Sequence, residues 1–219
     1  GNLGNSGVDL ECNAFISAGG SGTLTVNGTG GGNGGLNCGV IVYGNPNGQD
    51  PYITSNGGSI TINGTGGGSS SSVSAGPCKN DGIRLENGGY ILGPGTGQLT
   101  LNGTGGIGSP AQHTICGVYV GPYAAKGSAG LYETRISSLG ADILINGTGG
   151  KGGAVNSGGY NSGVANYGLI KAGGNGKLTI NGTGGRSPYG YNQGVLVSGI
   201  ATFNSVTSPA TVTSLGGDV

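Results

Sequence analysis

The chain has 219 residues, 57 of which are glycine, and its eight basic residues balance eight acidic ones. Because no cluster of Lys and Arg is present to hold phosphates, no nucleic-acid partner is expected. Glycine does not recur at every third position, which excludes a collagen helix, and no apolar stretch approaches the roughly 20 residues of a membrane-spanning helix.

Each repeat of the chain contains three predicted strands, and the first of them is a short segment that opens with glycine. It first occurs as Gly7-Val8-Asp9-Leu10, in which Val8 and Leu10 flank a polar residue. Later copies begin at Gly39, Gly82, Gly117, Gly163 and Gly194. Alternation with a period of two predicts a β-strand with one face turned toward a core.

The second predicted strand is shorter and centres on a single aliphatic residue. These residues are Ile16, Ile53, Ile91, Ile136, Ile170 and Val212. The third strand opens seven or eight residues later, with the eight-residue phrase aliphatic-x-aliphatic-Asn-Gly-Thr-Gly-Gly. Complete phrases open at Leu24, Ile60, Leu99, Ile143 and Leu178, and Val219 occupies the opening position of a truncated sixth.

Together these strands predict an all-β, single-domain, right-handed parallel β-helix (a solenoid) over residues 1–219, with about five to six coils. The phrase openings lie 36, 39, 44 and 35 residues apart, a period that is typical of repeat architectures. Coils stacked about 4.8 Å apart would align equivalent aliphatic residues in inward rows. The alternative is an antiparallel sandwich or a propeller, but a propeller blade needs four strands.

The Asn-Gly-Thr step of the phrase has a structural and a chemical interpretation. It begins at Asn27, Asn63, Asn102, Asn146 and Asn181. Asn-Gly favours a turn with positive φ, so we predict that these asparagines form a hydrogen-bonded ladder at the bend of each coil. Each step is also an Asn-x-Thr acceptor for N-glycosylation. Glycans on coils about 4.8 Å apart would collide, so only sparse modification is expected.

The residues two positions before these asparagines form an outward row of threonines that one leucine interrupts. The row consists of Thr25, Thr61, Thr100, Leu144 and Thr179. A flat threonine array suits the surface of ice, but the adjoining outward positions contain no second threonine row. They are Thr23, Ser59, Gln98, Asp142 and Lys177. The sequence alone therefore disfavours an ice-binding face.

The four cysteines, Cys12, Cys38, Cys78 and Cys116, are an even set without a C-x-x-C pair. Such a set is typical of disulfides in an oxidising compartment rather than of a zinc site. Cys38 and Cys116 occupy the same slot two coils apart, which is too far for a direct bond. We therefore expect Cys12–Cys38 and Cys78–Cys116 pairs, with four buried thiols as the alternative.

The acidic residues predict no catalytic site, metal site or cofactor. Glycoside cleavage needs two carboxylates held near one another. Asp9 and Glu11 share one strand, but Ile41 and Tyr43 take the equivalent positions on the next coil, so no acidic row forms. We expect that the chain is not an enzyme, and a polysaccharide-cleaving β-helix enzyme is a remote alternative.

The remaining charged residues have simpler interpretations. Asp81, Arg84 and Glu86 predict a solvated local charge cluster on the outer face of a strand. His113 stands in a loop without a partner in the sequence, so neither a base nor a ligand role is expected for it.

An aromatic residue precedes the central aliphatic of the second strand on three successive coils. These residues are Phe15, Tyr52 and Tyr90, and all three are expected to face outward. They are candidate contacts for sugars or for a neighbouring molecule, and the alternative is that they only cover the face of the sheet.

Two segments resemble the repeats of large secreted bacterial β-strand-repeat surface proteins of the filamentous-haemagglutinin type. The segments are Ser59-Ile60-Thr61-Ile62-Asn63-Gly64-Thr65-Gly66-Gly67 and Asn192-Gln193-Gly194-Val195-Leu196-Val197. The resemblance lies in the style of the repeat and extends over nearly the whole chain. It implies a right-handed β-helix at the cell surface with an adhesive or structural role, and it brings no catalytic residues.

We therefore expect an extracellular or cell-surface structural protein that forms part of a filament, fibre or stalk. Neither end of the repeat array shows a cap, so the coils are expected either to join copies of the chain end to end or to belong to a longer array. An adhesin or carbohydrate-binding module that contacts surface glycans is the alternative.

Overall fold

A computed structural model describes residues 4–32, 37–45, 49–68, 79–108, 115–121, 124–125, 131–152, 161–186, 192–203, 206–208 and 210–215. Every regular element within these ranges is a β-strand, and none is a helix. The predicted all-β class is therefore confirmed. Val219, the opening position of the truncated sixth phrase, lies outside the described residues, as do Cys78 and His113.

Three parallel sheets form the walls of the molecule. Sheet A consists, in spatial order, of β1 (Val8–Glu11), β4 (Val40–Tyr43), β7 (Ile83–Glu86), β10 (Val118–Val120), β15 (Val164–Asn166) and β18 (Val195–Val197). Sheet B consists of β2 (Phe15–Ala18), β5 (Tyr52–Ser55), β8 (Tyr90–Gly93), β13 (Arg135–Ser138), β16 (Leu169–Ala172) and β21 (Thr211–Ser214). Sheet C consists of β3 (Leu24–Thr29), β6 (Ile60–Thr65), β9 (Gln98–Thr104), β14 (Asp142–Thr148) and β17 (Leu178–Thr183).

The chain visits sheets A, B and C in turn and then begins the next coil, so it winds as a parallel β-helix of about six coils. Within sheet C, Leu24 pairs with Ile60, Ile60 with Leu99, and the register continues without a shift to Leu178. The predicted rows of aliphatic residues in sheets A and B are also in register. The spacing of the repeats therefore predicted the pairing of the strands correctly.

Two short antiparallel hairpins are inserted into this pattern. One pairs β11 (Ala124–Ala125) with β12 (Leu131–Tyr132), and the other pairs β19 (Ile200–Phe203) with β20 (Val206–Ser208). Both lie in the connection from a strand of sheet A to the following strand of sheet B. The repeat pattern predicted neither hairpin.

The core is a column of aliphatic side chains that runs through the middle of the coils. Ile53, Ile62, Leu85, Ile91 and Leu101 are all fully buried within it. Complete burial of such a side chain stabilises the fold by roughly 1.5–3 kcal/mol. Repetition of this layer explains how a chain with 33% hydrophobic residues and no tryptophan can fold.

The Asn-Gly-Thr step does not form the bend that the sequence predicted. Asn27, Gly28 and Thr29 continue strand β3, and the corresponding steps of the other four phrases also lie within their strands. None of the five phrase glycines at this step has a positive φ. The glycine faces inward, and a Cβ at Gly64 would overlap the carbonyl oxygen of Gly82 on sheet A.

The same overlap recurs on the other coils, which defines a glycine seam between sheets C and A. On the sheet C side it consists of Gly28, Gly64, Gly103, Gly147 and Gly182, which face Gly39, Gly82, Gly117, Gly163 and Gly194. Close approach of two backbones, rather than left-handed turn geometry, is therefore what requires glycine in the phrase.

Candidate functional site

The five phrase asparagines form a continuous ladder on the outer face of sheet C. The Nδ2 of each asparagine donates a hydrogen bond to the Oδ1 of the asparagine on the preceding coil, at distances of 2.8 Å for Asn63 to Asn27 and 2.9 Å for the other three. The predicted ladder is confirmed, although it runs along a flat sheet rather than along a bend. N-glycosylation of these residues stays a prediction.

Threonines flank this ladder on both sides. The row before it is the predicted one, and Leu144 interrupts it on the fourth strand. A second row follows the ladder because the strand continues through the glycine. It consists of Thr29, Thr65, Thr104, Thr148 and Thr183, all of which are exposed. This row was not predicted from the sequence, because Asn-Gly favours a bend that would end the strand.

The three predicted aromatic residues form a stack on sheet B. The ring centroids of Phe15 and Tyr52 are 5.4 Å apart and those of Tyr52 and Tyr90 are 5.1 Å apart, with nearly parallel planes. The Arg135 guanidinium lies 4.4 Å from the centroid of the Tyr90 ring. The ring faces between successive members are therefore occupied, and Phe15, which is 62% exposed, lies at the open end of the stack.

The predicted solvated charge cluster is wrong, because the cluster is buried. Arg84 lies on the outer face of β7, yet its side chain is 2% exposed and that of Asp81 is 0% exposed. The neighbouring outward residues Ile41, Tyr119 and Ala165 are buried as well. The outer face of sheet A therefore does not face solvent on its central strands, unlike that of sheet C.

Arg84 is the centre of this buried cluster. Its NH1 nitrogen lies 2.5 Å from a carboxylate oxygen of Asp81, and its Nε lies 3.0 Å from Glu86. Lys79 reaches the same Glu86 oxygen at 2.7 Å. The guanidinium also lies 3.9 Å from the centroid of the Tyr119 ring, which is a cation–π contact.

Burial and charge pairing shift the pKa values within this cluster. Burial raises the pKa of Asp81, although the Arg84 guanidinium and a hydrogen bond from the Cys116 amide oppose the shift. Burial also acts on Glu86, but the charges of Arg84 and Lys79 outweigh it and hold the pKa of that carboxyl below its usual range. The side chains of the cluster pair with one another, and those of Asp81 and Arg84 are shielded from solvent.

The Cys12–Cys38 pair that the sequence predicted does not form. The register pairs Val8 with Val40 and Glu11 with Tyr43, so Cys12 follows one end of the strand pair and Cys38 precedes the other. That places the two residues about 20 Å apart along the strands, whereas a disulfide needs Cα atoms less than roughly 7 Å apart.

The described cysteines have different surroundings, and no disulfide joins them. Cys12 is exposed in the turn after β1. Cys38 is buried, its Sγ donates to the carbonyl oxygen of Lys79, and burial raises the pKa of its thiol to about 12. Cys38, Asp81 and Cys116 take equivalent positions on three successive coils. This confirms that the two cysteines are equivalent residues separated by two coils.

The carboxylates of Asp9 and Glu11 on the first strand do not continue as an acidic row on the second strand of sheet A. Asp9 and Glu11 are exposed on the first strand and pair with Ile41 and Tyr43, as the sequence predicted. Partial desolvation of its carboxyl and the charge of Glu11 raise the pKa of Asp9. Within the same part of the chain, no three His, Cys, Asp or Glu residues lie close enough together to hold a metal ion.

A second group of asparagines, which the sequence analysis missed, occupies the corner that leads into sheet A. Asn37 and Asn80 are fully buried there, and the amide of Asn37 donates to Asn80 at 3.2 Å. Asn80 in turn donates to the carbonyl oxygen of Ile107 at 2.7 Å. The signal was present in the sequence as an Asn-x-Gly before each of the six strands of sheet A, except that Ile115 replaces the asparagine before β10.

Comparison with known proteins gives no family for this chain. No family model, curated protein or solved structure matches it. Across the described ranges, no helix has the length and hydropathy that a membrane crossing would require. The candidate functional features are therefore the surfaces of the solenoid itself: its two ends, the aromatic stack on sheet B and the outer face of sheet C.

Proposed function

We propose that this chain is an extracellular structural protein, a building block of a surface filament, fibre or stalk, and that it acts by stacking coils rather than by catalysis. The observation that carries the proposal is the apolar character of its last coil. Val195 and Val197 are 42% and 48% exposed. In the middle of sheet A the equivalent residues, such as Val40 and Val42, are fully buried.

The first coil supports the same proposal. Val8 and Leu24 are only partly buried, whereas their partners on the second coil, Val40 and Ile60, are fully buried. Among the described strands, those of the first coil pair on one side only, and so do the last strands of all three sheets. Unpaired parallel edges over an apolar core are suited to a further coil.

Such a coil has two sources, which are another copy of this chain and further repeats of the same polypeptide. In both cases the added coil continues the solenoid, and its strands run in the same direction as those inside the molecule. Between two copies of the chain, the interface joins the last coil of one copy to the first coil of the next. A head-to-tail interface of this kind does not close on itself, so it generates an open filament.

The test is the assembly state of the chain and of an end-blocked variant. In sedimentation velocity, the 219-residue chain is expected to form oligomers whose size increases with concentration. Negative-stain electron microscopy is expected to show linear particles with the width of a single solenoid. The double substitution Val195→Lys and Val197→Lys places two charges on the last coil and is expected to give monomers, since desolvating unpaired ammonium groups is costly.

Leu139→Lys is the matched control for this experiment. Leu139 is 67% exposed in the turn between β13 and β14, on the side of the solenoid rather than at its end. A chain that stays monomeric at all concentrations would contradict the proposal, as would equal loss of assembly in the control. Antibody labelling of intact cells of the source organism tests the surface location.

An adhesin or carbohydrate-binding module is the second candidate, and the exposed ring of Phe15 favours it. Sugar recognition through stacking needs an open aromatic face, and the stack on sheet B leaves one beside Phe15. Glycan-array binding that Phe15→Ala removes and Leu139→Ala preserves would support this candidate over a purely structural role.

A further inference from the structure

We propose that the outer face of sheet C binds the surface of ice. The face consists of three parallel rows, which are the asparagine ladder and the threonine row on each side of it. The two outer rows are Thr25, Thr61, Thr100, Leu144 and Thr179, and Thr29, Thr65, Thr104, Thr148 and Thr183. This function goes beyond the structural role proposed above and uses a different surface.

The outer face of sheet C is regular in two dimensions. All five strands of sheet C pair without a register shift from the opening aliphatic residue to the last threonine. Neighbouring members of a row therefore lie about 4.8 Å apart, and adjacent rows lie about 6.7 Å apart. A two-dimensional lattice of polar groups is complementary to a partner whose own groups repeat in two dimensions, as those of a crystal do.

The side chains of this face are held in place before any partner binds. Each inner asparagine of the ladder both accepts and donates an amide hydrogen bond, as Asn102 does with Asn146 and Asn63. The threonines on both sides are β-branched, which restricts their χ1 rotamers. A face that is ordered before it binds loses less conformational entropy on binding.

The side chains of this lattice are all uncharged. Its 15 positions hold nine threonines, five asparagines and one leucine, so none carries a charge. Neutral hydroxyl, amide and methyl groups can take positions in a lattice of water molecules. A charged side chain such as lysine holds its own hydration shell strongly, and that shell does not fit the neutral water lattice of ice.

The face is small and contains no aromatic side chain. Five strands and five residues along each strand cover only about 300 Å², whereas a stable protein interface buries about 800 Å² on each partner. A second protein chain is therefore not its natural occupant. Crystalline polysaccharide is disfavoured too, since sugar rings stack on aromatic side chains and this face contains none.

The sequence alone disfavoured ice because it lacked a second threonine row at the outward positions before each phrase. That row exists on the opposite side of the ladder, where all five of its members are exposed. It is visible only once Asn-Gly is known to continue the strand.

The test compares the ice activity of the purified chain with that of two lysine variants. The unmodified chain is expected to shape ice crystals in a nanolitre osmometer and to inhibit ice recrystallisation at micromolar concentration. Thr104→Lys, on the central strand of sheet C, is expected to lower the recrystallisation activity at least tenfold. Thr54→Lys is the matched control, because Thr54 lies on the outer face of β5 in sheet B.

Circular dichroism melting verifies that both variants are folded, and the comparison is made only between folded proteins. Absence of ice shaping and of recrystallisation inhibition in the unmodified chain would overturn the proposal. Equal activity of the Thr104→Lys and Thr54→Lys variants would also overturn it. Co-sedimentation with crystalline cellulose or chitin that Thr104→Lys alone removes would assign the face to a polysaccharide instead.

Discussion

Arg84 illustrates how a single charged residue can hold two parts of one coil together. Its guanidinium pairs with Asp81 at the start of β7 and with Glu86 at its end, while the Tyr119 ring of the next coil covers it. This buried charge is tolerated because two carboxylates compensate it and accept hydrogen bonds from two of its nitrogens. Removal of the guanidinium leaves two carboxylates that have lost their main counter-charge.

We expect Arg84→Met to lower the free energy of unfolding by about 3–5 kcal/mol, the range for breaking a buried ion pair. Urea unfolding followed by circular dichroism measures this change. Arg135→Met is the control, because Arg135 is 35% exposed and lies 3.9 Å from Glu133, so its loss is expected to cost about 1 kcal/mol or less. If both variants lost the same free energy of unfolding, burial of the Arg84 cluster would not explain its contribution to stability.

The sequence could not reveal this burial from the strand pattern alone. Alternation correctly placed Arg84 on the outer face of its strand, and the error was to equate that face with solvent. The signal that would have corrected it was the row of outward neighbours, since Ile41, Tyr119 and Ala165 are apolar or aromatic. A row of such residues on the outer face of a sheet indicates that something covers it.

At the scale of the strand, the Asn-Gly-Thr phrase of each coil lies in one strand of sheet C. Its residues alternate between facing the core and facing outward. Its aliphatic residues and its first glycine face the core, and its threonines and asparagine face outward. The period-2 pattern predicted the aliphatic half of the strand correctly. The pattern gave the wrong structure at Asn-Gly because this dipeptide occurs both in turns and where two strands come into close contact. Only the three-dimensional packing distinguishes these two alternatives.

The glycine seam predicts that a Cβ added at one of its positions destabilises the fold. Gly64→Ala would drive a Cβ into the carbonyl oxygen of Gly82, which is backbone and cannot move aside without shifting a strand. Overpacking of this kind is expected to cost at least about 1–3 kcal/mol, measured by thermal or urea unfolding. Gly19→Ala is the control, since a Cβ there would meet no atom within 4 Å, and its effect is expected to stay within about 0.5 kcal/mol. A seam variant as stable as this control would contradict the close-contact explanation.

At the scale of the whole molecule, the repeat period predicted the three sheets, their parallel pairing and their register. The period predicts the pairing because each coil contacts only the coils next to it. The strand order of one clearly recognised coil therefore applies to all the others. Two of the features that the period missed, the inserted hairpins and the buried ion pairs of Arg84, occur on one or two coils only and have no periodic signal. The second threonine row and the corner asparagines do recur along the chain, but their roles depend on how the strands continue and pack.

The same one-dimensional organisation predicts a gradient of stability along the axis. In native-state hydrogen exchange at dilute protein concentration, amides of the central strand β9 are expected to exchange more slowly than those of β1 and β18, which pair on one side only. Terminal coils open with a smaller free energy because fewer contacts hold them. Uniform protection of all coils would contradict this, and it would indicate a molecule that opens only as a whole.

The asparagine ladder gives the molecule a polarity that composition and overall shape do not show. Every amide points the same way, so within the ladder Asn27 only accepts and Asn181 only donates. Two copies that met by identical ends would oppose acceptor to acceptor or donor to donor, whereas unlike ends could extend the ladder. A fibre of these chains would therefore be a polar filament with two chemically different ends. Subunits would add to these two ends at different rates.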